Sequence, residues 1–409
     1  MAFAPTHKTA QMIPLVQETE ALRRLPPYVF AELDRLKESA RASGQALIDL
    51  GIGSPDLGIA PDIVNALSEA ARDKSLHGYP AFRGSAVFLE AIQRFMHSRF
   101  GVSIDSSKQV TALSGAKEGI AQLLQAVAGP GDLILVPEIH YPVYARASLL
   151  TGADIRFVPM RAQDNFILDL DAISAADLHR ARVLIVNYPN NPTGARVDRA
   201  FLQHVVDIGR QHRLLVLSDL AYSELTFDGG KAPSILECDG ADQVAIEFHS
   251  LSKTFSMAGL RIGFAVGNAQ AIDALADYRL NVGYGSPTIV QHAAAFALDH
   301  RERLVPLTVA TYRRRRDVAI AALGDSGWKV PASAATMFLW LRVPAGVDDW
   351  DWVSTLIRED GVVVTPGIAF GEGGRGYFRV SLVRDDETLR GAAALIAARR
   401  AMITGNRVE

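Results

Sequence analysis

From about residue 108 to residue 268 the chain alternates short apolar, β-branched runs with longer stretches of helical periodicity, and that alternation leaves few folds open. The runs fall near 109–113 (QVTAL), 132–136 (DLILV), 155–159 (IRFVP), 182–187 (RVLIVN), 214–218 (LLVLS), 243–248 (QVAIEF) and 261–266 (RIGFAV). Between most of them lie helical patterns such as AKEGIAQLLQAVA and RAFLQHVVDIGRQH. This succession of strand, crossover and strand predicts an α/β fold: a mostly parallel, seven-stranded sheet with helices on both faces. Ligands of such sheets bind outside the carboxyl ends of the strands. The distinctive polar clusters fall at those ends: Ser114-Gly115 after the first run, NYPNNPTG after the fourth, SDLAY after the fifth and HSLSK after the sixth. They are expected to converge.

After about residue 300 the texture changes. A helix over roughly 301–324 leads to WKV, TMFLWLRV, GVVVTPG and YFRVSLV, which read as a smaller α+β unit. The N-terminal ninety residues carry an amphipathic helix in PPYVFAELDRLKESARASG and then the loop GIGSPDLG. A chain of 409 residues suits two domains sharing a large core. The expected division is a large domain over 58–300 and a discontinuous smaller domain from 1–57 and 301–409.

Composition excludes several functions. The formal net charge of −3 gives no reason to expect a nucleic-acid or acidic-membrane partner. The basic run Arg313–Arg316 reads as the solvated face of a helix. Cys238 is the single cysteine, which rules out an internal disulfide and fits a reducing cytoplasm. The ten histidines show no HExxH-like pairing, so no metal site is expected. No leader is read in MAFAPTHKTAQMIPLVQ, and no apolar run is long enough for a membrane span.

One stretch carries the chemistry: HSLSKTFSMAGLRIG, His249 to Gly263. A lone lysine after a strand is usually solvated. A partly buried lysine beside another cation, however, has a lowered pKa, because charging it there is costly, and its neutral amine condenses with aldehydes. Ser250, Ser252 and Arg261 around Lys253 suit a phosphate: hydroxyl donors and a planar, permanently charged fork. An aldehyde that carries a phosphate describes pyridoxal phosphate.

The remaining strand ends supply what that cofactor needs. Its pyridine nitrogen needs a carboxylate to stay protonated, and Asp219 ends the fifth run, where it would otherwise serve as a helix cap. Asn191 and Tyr222 are candidate donors to the ring oxygen, although NNPTG alone is a good turn. Gly115, Ala116 and Lys117 open a helix whose amides can face a phosphate, and Tyr141 can stack on the ring.

The motifs NYPNNPTG, SDLAYSEL, SLSKTFSMAGLRIG and GYFRVSL, in this order and spacing, resemble those of the class I/II aminotransferases among fold-type I pyridoxal-phosphate enzymes, over essentially the whole chain. The resemblance implies that Lys253 forms the Schiff base, Asp219 partners the pyridine nitrogen, Asn191 and Tyr222 hold the ring oxygen, and Tyr141 stacks. Ser250, Ser252, Arg261, Gly115, Ala116 and Lys117 would surround the phosphate. Arg379 would clamp the substrate α-carboxylate with Asn191 and the backbone of Gly53. Tyr79 would reach across a homodimer to the neighbour's phosphate, giving shared active sites. PPYVFAELDR, EFHSLSK and IGFAVGN look closest to the LL-diaminopimelate and alanine aminotransferase-like branch.

The expected activity is transfer of an amino group between an L-amino acid and a 2-oxo acid, in the cytoplasm, with LL-diaminopimelate or alanine/glutamate-type substrates. The alternative on the same cofactor is elimination, cyclisation or oxidation of an amino acid. Gly51-Ile52-Gly53 does not make a nicotinamide-binding fingerprint, since it lacks the strand–helix setting and a third spaced glycine. The residues that choose the side chain are expected near Tyr28, in the loop NVGYGS and on the partner subunit.

Overall fold

All seven expected strands form, each within two residues of its predicted ends. The computed structural model describes residues 16–325, 327–328 and 330–405; the reading that the first residues form no leader falls on 1–15, outside the described residues. Among the described residues twelve strands occur in chain order: β1 (Ile48–Asp49), β2 (Val110–Leu113), β3 (Leu133–Pro137), β4 (Asp154–Val158), β5 (Ala181–Asn187), β6 (Leu215–Asp219), β7 (Ala245–Ser250), β8 (Gly263–Gly267), β9 (Phe338–Arg342), β10 (Val362–Val363), β11 (Thr365–Pro366) and β12 (Tyr377–Ser381).

Strands β2 to β8 make one sheet in the order β2-β8-β7-β6-β5-β3-β4. Every pairing is parallel except those of β8, which runs antiparallel to both β2 and β7. β2, β3 and β8 are buried along their whole length, as a sheet covered on both faces requires. One face packs against the helices Ala116–Val127 and Val143–Thr151, with Phe248, Ile185 and Leu217 in the core. The opposite face packs against Ala86–Phe100, Arg199–His212 and Thr288–Asp299. The edge strand β4 is the exception: three of its five residues are exposed.

The later sequence forms an antiparallel sheet, β11-β12-β9, and a two-residue parallel pair, β1 with β10. These enclose a separate hydrophobic cluster with the helices Val29–Ala42, Arg301–Gly324, Asp349–Asp360 and Asp386–Thr404, around Trp352, Phe338 and Phe378. The N-terminal segment joins it directly: Leu50 N donates to Val363 O and Ser381 N donates to Leu50 O.

The basic run departs from expectation. Arg315 and Arg316 are each only 5 % exposed, so they do not form a solvated face. Arg316 pairs with Asp228 and Asp317 and donates to Ser333 O, while Arg315 pairs with Asp56. The run spans a full helical turn, so part of it must face inward once the helix packs on one side. Two of the partners, Asp56 and Asp228, are distant in sequence, and those no charge count along the helix reveals. Among the described residues no helix is long and apolar enough to cross a membrane, and no histidine, cysteine or acidic cluster suits a metal.

Candidate active site

The register of the sheet assembles the site. Asn187 ends β5 and sits opposite Asp219, the end of β6. Ser250, the end of β7, sits opposite Gly263, the start of β8, which is also opposite Leu113, the end of β2. Because β8 runs backwards, the chain leading into it lies at the carboxyl edge of its neighbours, which delivers Arg261 there. These ends border a cavity of about 360 Å³ lined by Gly53, Gly115, Ala116, Lys117, Tyr141, Asn191, Asp219, Tyr222, Ser250, Ser252, Lys253, Arg261 and Arg379. Thirteen of the residues singled out from sequence therefore meet in one place.

At one end of the cavity is a cradle for an anion. Gly115 precedes the helix Ala116–Val127 with φ of 103°, and a Cβ there would come within 2.5 Å of the Arg261 guanidinium. Only glycine allows that approach. The first amides of the helix have no intrahelical acceptor, and its dipole favours negative charge. Arg261 is fixed by donating to Ala258 O at 3.0 Å and Ser114 O at 3.1 Å. The Ser250 hydroxyl accepts from Ser252 N at 3.3 Å, capping the short helix Leu251–Thr254 that carries Lys253. Ser250 thus braces the loop as well as facing the cavity.

Lys253 Nζ donates to Gly53 O at 2.5 Å. Burial, reinforced by repulsion from Arg379 and Arg261, lowers its pKa to about 8, so a substantial fraction of the amine is neutral near physiological pH. Across the cavity, Asp219 Oδ2 accepts from Tyr144 Oη at 2.6 Å and Oδ1 from Ala221 N at 3.1 Å. Asp219 therefore caps its own turn and also faces the cavity. Burial raises its pKa and outweighs these hydrogen bonds and the nearby His249. A buried carboxylate in that condition is stabilised by a cation brought to it.

Arg379, on β12 and 3 % exposed, donates from Nη1 to Asn191 Oδ1 at 2.9 Å and from Nη2 to Gly51 O at 2.7 Å. Its guanidinium lies 4.1 Å from the Phe338 ring centroid and 4.7 Å from that of Phe370. Desolvation lowers its pKa to about 10, and among the described residues its buried Nε has no partner. Tyr222 packs edge-on against Phe338, and burial pushes its hydroxyl well above the usual range. Burial likewise raises Tyr141 to about 12. Both phenols therefore keep their protons at neutral pH and are able to donate hydrogen bonds.

Of the residues expected to hold the cofactor or the substrate carboxylate, Tyr79 alone does not line the cavity of its own chain, and the loop NVGYGS does not line it either. Tyr79 is 82 % exposed and stacks on Tyr284 with ring centroids 4.4 Å apart. The loop bearing Tyr284 is tied to the cradle through Ser286 Oγ, which donates to Arg261 O at 2.9 Å or Leu113 O at 3.0 Å. Sequence reasoning missed Tyr144, Asn187, Phe30 and Phe338. Tyr144 lies three residues after Tyr141, one helical turn along, and that spacing was its available signal. Asn187 Nδ2 donates to Asp219 O at 2.8 Å, and its place at the end of β5 marked it equally. Phe338 sits in an apolar strand and carries no such mark.

The donor set fits pyridoxal phosphate: an anion cradle that a Cβ would fill, a lysine of lowered pKa, and a buried carboxylate lining the same cavity. The family model for aminotransferase class I and II matches residues 45–396, and the chain belongs to that family. It is 40 % identical to the LL-diaminopimelate aminotransferase of Natranaerobius thermophilus, over 92 % of this chain and 98 % of that one. Substrate-bound BacF from Bacillus subtilis superposes with a TM-score of 0.90 at 33 % identity, covering 94 % of this chain and 98 % of that one. A probable N-succinyldiaminopimelate aminotransferase from Thermus thermophilus superposes at 0.85 with 36 % identity, covering 90 % and 99 %. The fold is that of the fold-type I transferases, and the protein is a pyridoxal-phosphate-dependent aminotransferase.

Proposed function

We propose that this aminotransferase exchanges the amino group of LL-diaminopimelate, or of an alanine/glutamate-type L-amino acid, with a 2-oxo acid, and that the cavity is where it does so. The observation that carries the reading is Lys253, a lysine of depressed pKa that shares one cavity with a buried carboxylate and a buried arginine. LL-diaminopimelate comes first because that activity is in the name of relatives about 40 % identical over nine-tenths of the chain.

When bound, pyridoxal phosphate supplies an aldehyde for the amino group and a ring that withdraws electrons from the substrate Cα. The protein does the rest. Ser250, Ser252, Arg261 and the amides of Gly115, Ala116 and Lys117 hold the phosphate. Asp219, oriented by Tyr144, keeps the ring nitrogen protonated. Asn191 and Tyr222 donate to the ring oxygen, and Tyr141 covers the ring face. Arg379, with Asn191 and the backbone of Gly53, grips the α-carboxylate and so fixes the direction of the Cα–H bond. Lys253 Nζ would take the proton from the substrate Cα and deliver it to C4′, the carbon that carried the cofactor's aldehyde.

The same reading divides the chain into 58–300 and 1–57 with 301–409, places it in the cytoplasm, and makes it a homodimer in which Tyr79 completes the neighbour's phosphate site. The test is a panel of L-amino acids mixed with holoenzyme, followed by the absorbance of the bound cofactor. A substrate should yield one equivalent of 2-oxo acid per site, then stop until an acceptor oxo acid is added. Continuous release of ammonia would instead mean elimination or oxidation. No response to LL-diaminopimelate, alanine or glutamate would refute the substrate assignment.

A further inference from the structure

The half of the basic run that turns inward, Arg315 and Arg316, raises the question of what its buried arginines hold. Arg315 donates from Nη1 to Asp56 Oδ1 at 2.7 Å and from Nη2 to Asp56 Oδ2 at 2.8 Å, a parallel two-bond fork. Nη1 also donates to Leu382 O at 3.1 Å, tying the pair to the chain just beyond β12. Burying a guanidinium this fully is costly unless its partners are good; here both terminal nitrogens are paired, while the buried Nε has no partner among the described residues.

Asp56 closes a segment that lies over the cavity. At its near end, Gly51 O accepts from Arg379 Nη2 and from Thr365 Oγ1, each at 2.7 Å. Gly51 N donates to Asp49 Oδ1, while Asp49 Oδ2 pairs with the buried Lys37 at 3.0 Å. Between the anchors at Gly51 and Asp56, among the described residues, the backbone of Ile52 to Pro55 makes a single hydrogen bond, Gly53 O from Lys253 Nζ. Gly53 also packs so closely on Phe338 that a Cβ would approach ring carbons to 2.6 Å. A span this short, pinned at both ends, has little freedom: Gly53 shifts over the lysine and Arg379 only if an anchor gives way. The near anchor is fused to a sheet. The far anchor is the Asp56–Arg315 fork.

We propose that Asp56 and Arg315 are positioning residues that set the height of the Gly53 backbone above Lys253 and Arg379, and so tune the carboxylate end of the substrate site from a helix that does not enter it. This rests on the assignment of Gly53 and Arg379 to the α-carboxylate. The rival is an ion pair that merely holds the N-terminal segment onto the helix Arg301–Gly324.

Arg315→Lys keeps the charge and loses the fork, and Asp56→Asn keeps the shape and loses the charge. Both holoenzyme variants should raise KM for amino acids by about tenfold, in line with loss of a charge-assisted hydrogen bond, with a much smaller change in kcat. Hydrogen exchange in a peptide spanning residues 51–57 should quicken in both, without substrate, while peptides from β6 and β7 stay unchanged. The charge-reversed pair Asp56→Arg with Arg315→Asp should recover part of the lost KM. Unchanged KM with turnover intact, or kcat and KM worsening alongside a general rise in exchange, would overturn the proposal. Failure of the functional reading looks different: wild type itself would turn over no amino acid, yet the exchange comparison would still report on the anchor.

Discussion

Lys253 bears a cost that the cofactor-free protein should reveal. Moving its pKa from the ordinary 10.5 to about 8 means that the folded chain holds the charged amine less well than the unfolded chain does. At ~1.4 kcal/mol per tenfold, the penalty is about 3 kcal/mol wherever both states are protonated. Replacing the lysine by methionine, of similar length and uncharged, should therefore stabilise the stripped protein by up to about 3 kcal/mol at pH 7. Loss of the hydrogen bond to Gly53 O trims this by ~1 kcal/mol. The sign of the pH dependence is fixed. Between pH 8 and 10.5 the folded wild type sheds the proton and the unfolded chain keeps it, so wild-type stability rises through that window. The advantage of Lys253→Met should shrink over the same range and vanish above it. Urea unfolding of both proteins, at one protein concentration and at pH 7, 9 and 10.5, measures the difference. An advantage that stays constant with pH, or an outright loss at pH 7, would refute the argument that desolvation sets the amine's pKa.

Asp219→Asn should retain cofactor but slow the half-reaction with amino acid by orders of magnitude, seen in single-turnover absorbance; equality with wild type would reduce Asp219 to the cap of its turn. Arg379→Lys should raise KM for every α-amino acid while sparing amines that lack the carboxylate, since a point charge replaces a fork; equal losses for both classes would count against the clamp. A mixed dimer of one Tyr79→Phe subunit and one Lys253→Ala subunit should keep about half the wild-type activity at undiminished cofactor affinity, because its one complete site borrows an intact tyrosine. The weakened cofactor affinity of the Tyr79→Phe homodimer in that mixture would place the tyrosine's action within its own chain.

The central sheet was legible because buried parallel strands leave continuous apolar runs, and the site was legible because its polar residues interrupt those runs at their ends. Lys253, Asp219 and Asn191 each lie at or just beyond the end of an apolar strand, and the register then brings them together. What stayed hidden depends on pairing across long distances. Arg315 and Arg316 are indistinguishable in sequence from Arg313 and Arg314; only the arrival of Asp56 and Asp228 makes them interior residues. Phe338 shapes the site as an ordinary core residue of its strand would, by bulk alone, and bulk leaves no pattern. Tyr79 and Tyr284 are exposed aromatics, and the role proposed for Tyr79 depends on a second copy of the chain.

The hydrogen bond from Arg379 to Gly51 O joins residues 328 positions apart, whereas the cradle residues, Asp219 and Lys253 all lie between Gly115 and Arg261. The two halves of the site therefore complete at different moments of biosynthesis. A ribosome that has passed the β8 region has already released every side chain proposed to hold the cofactor, and the central sheet can close around them. The proposed substrate clamp, Arg379, must wait for β12 and then find a partner made near the start. Closure over so long a separation is entropically slow. The clamp is thus the last part of the active site to assemble, and C-terminal truncation before β12 should give a chain that lacks the means to recognise an amino acid while keeping every residue proposed to hold pyridoxal phosphate.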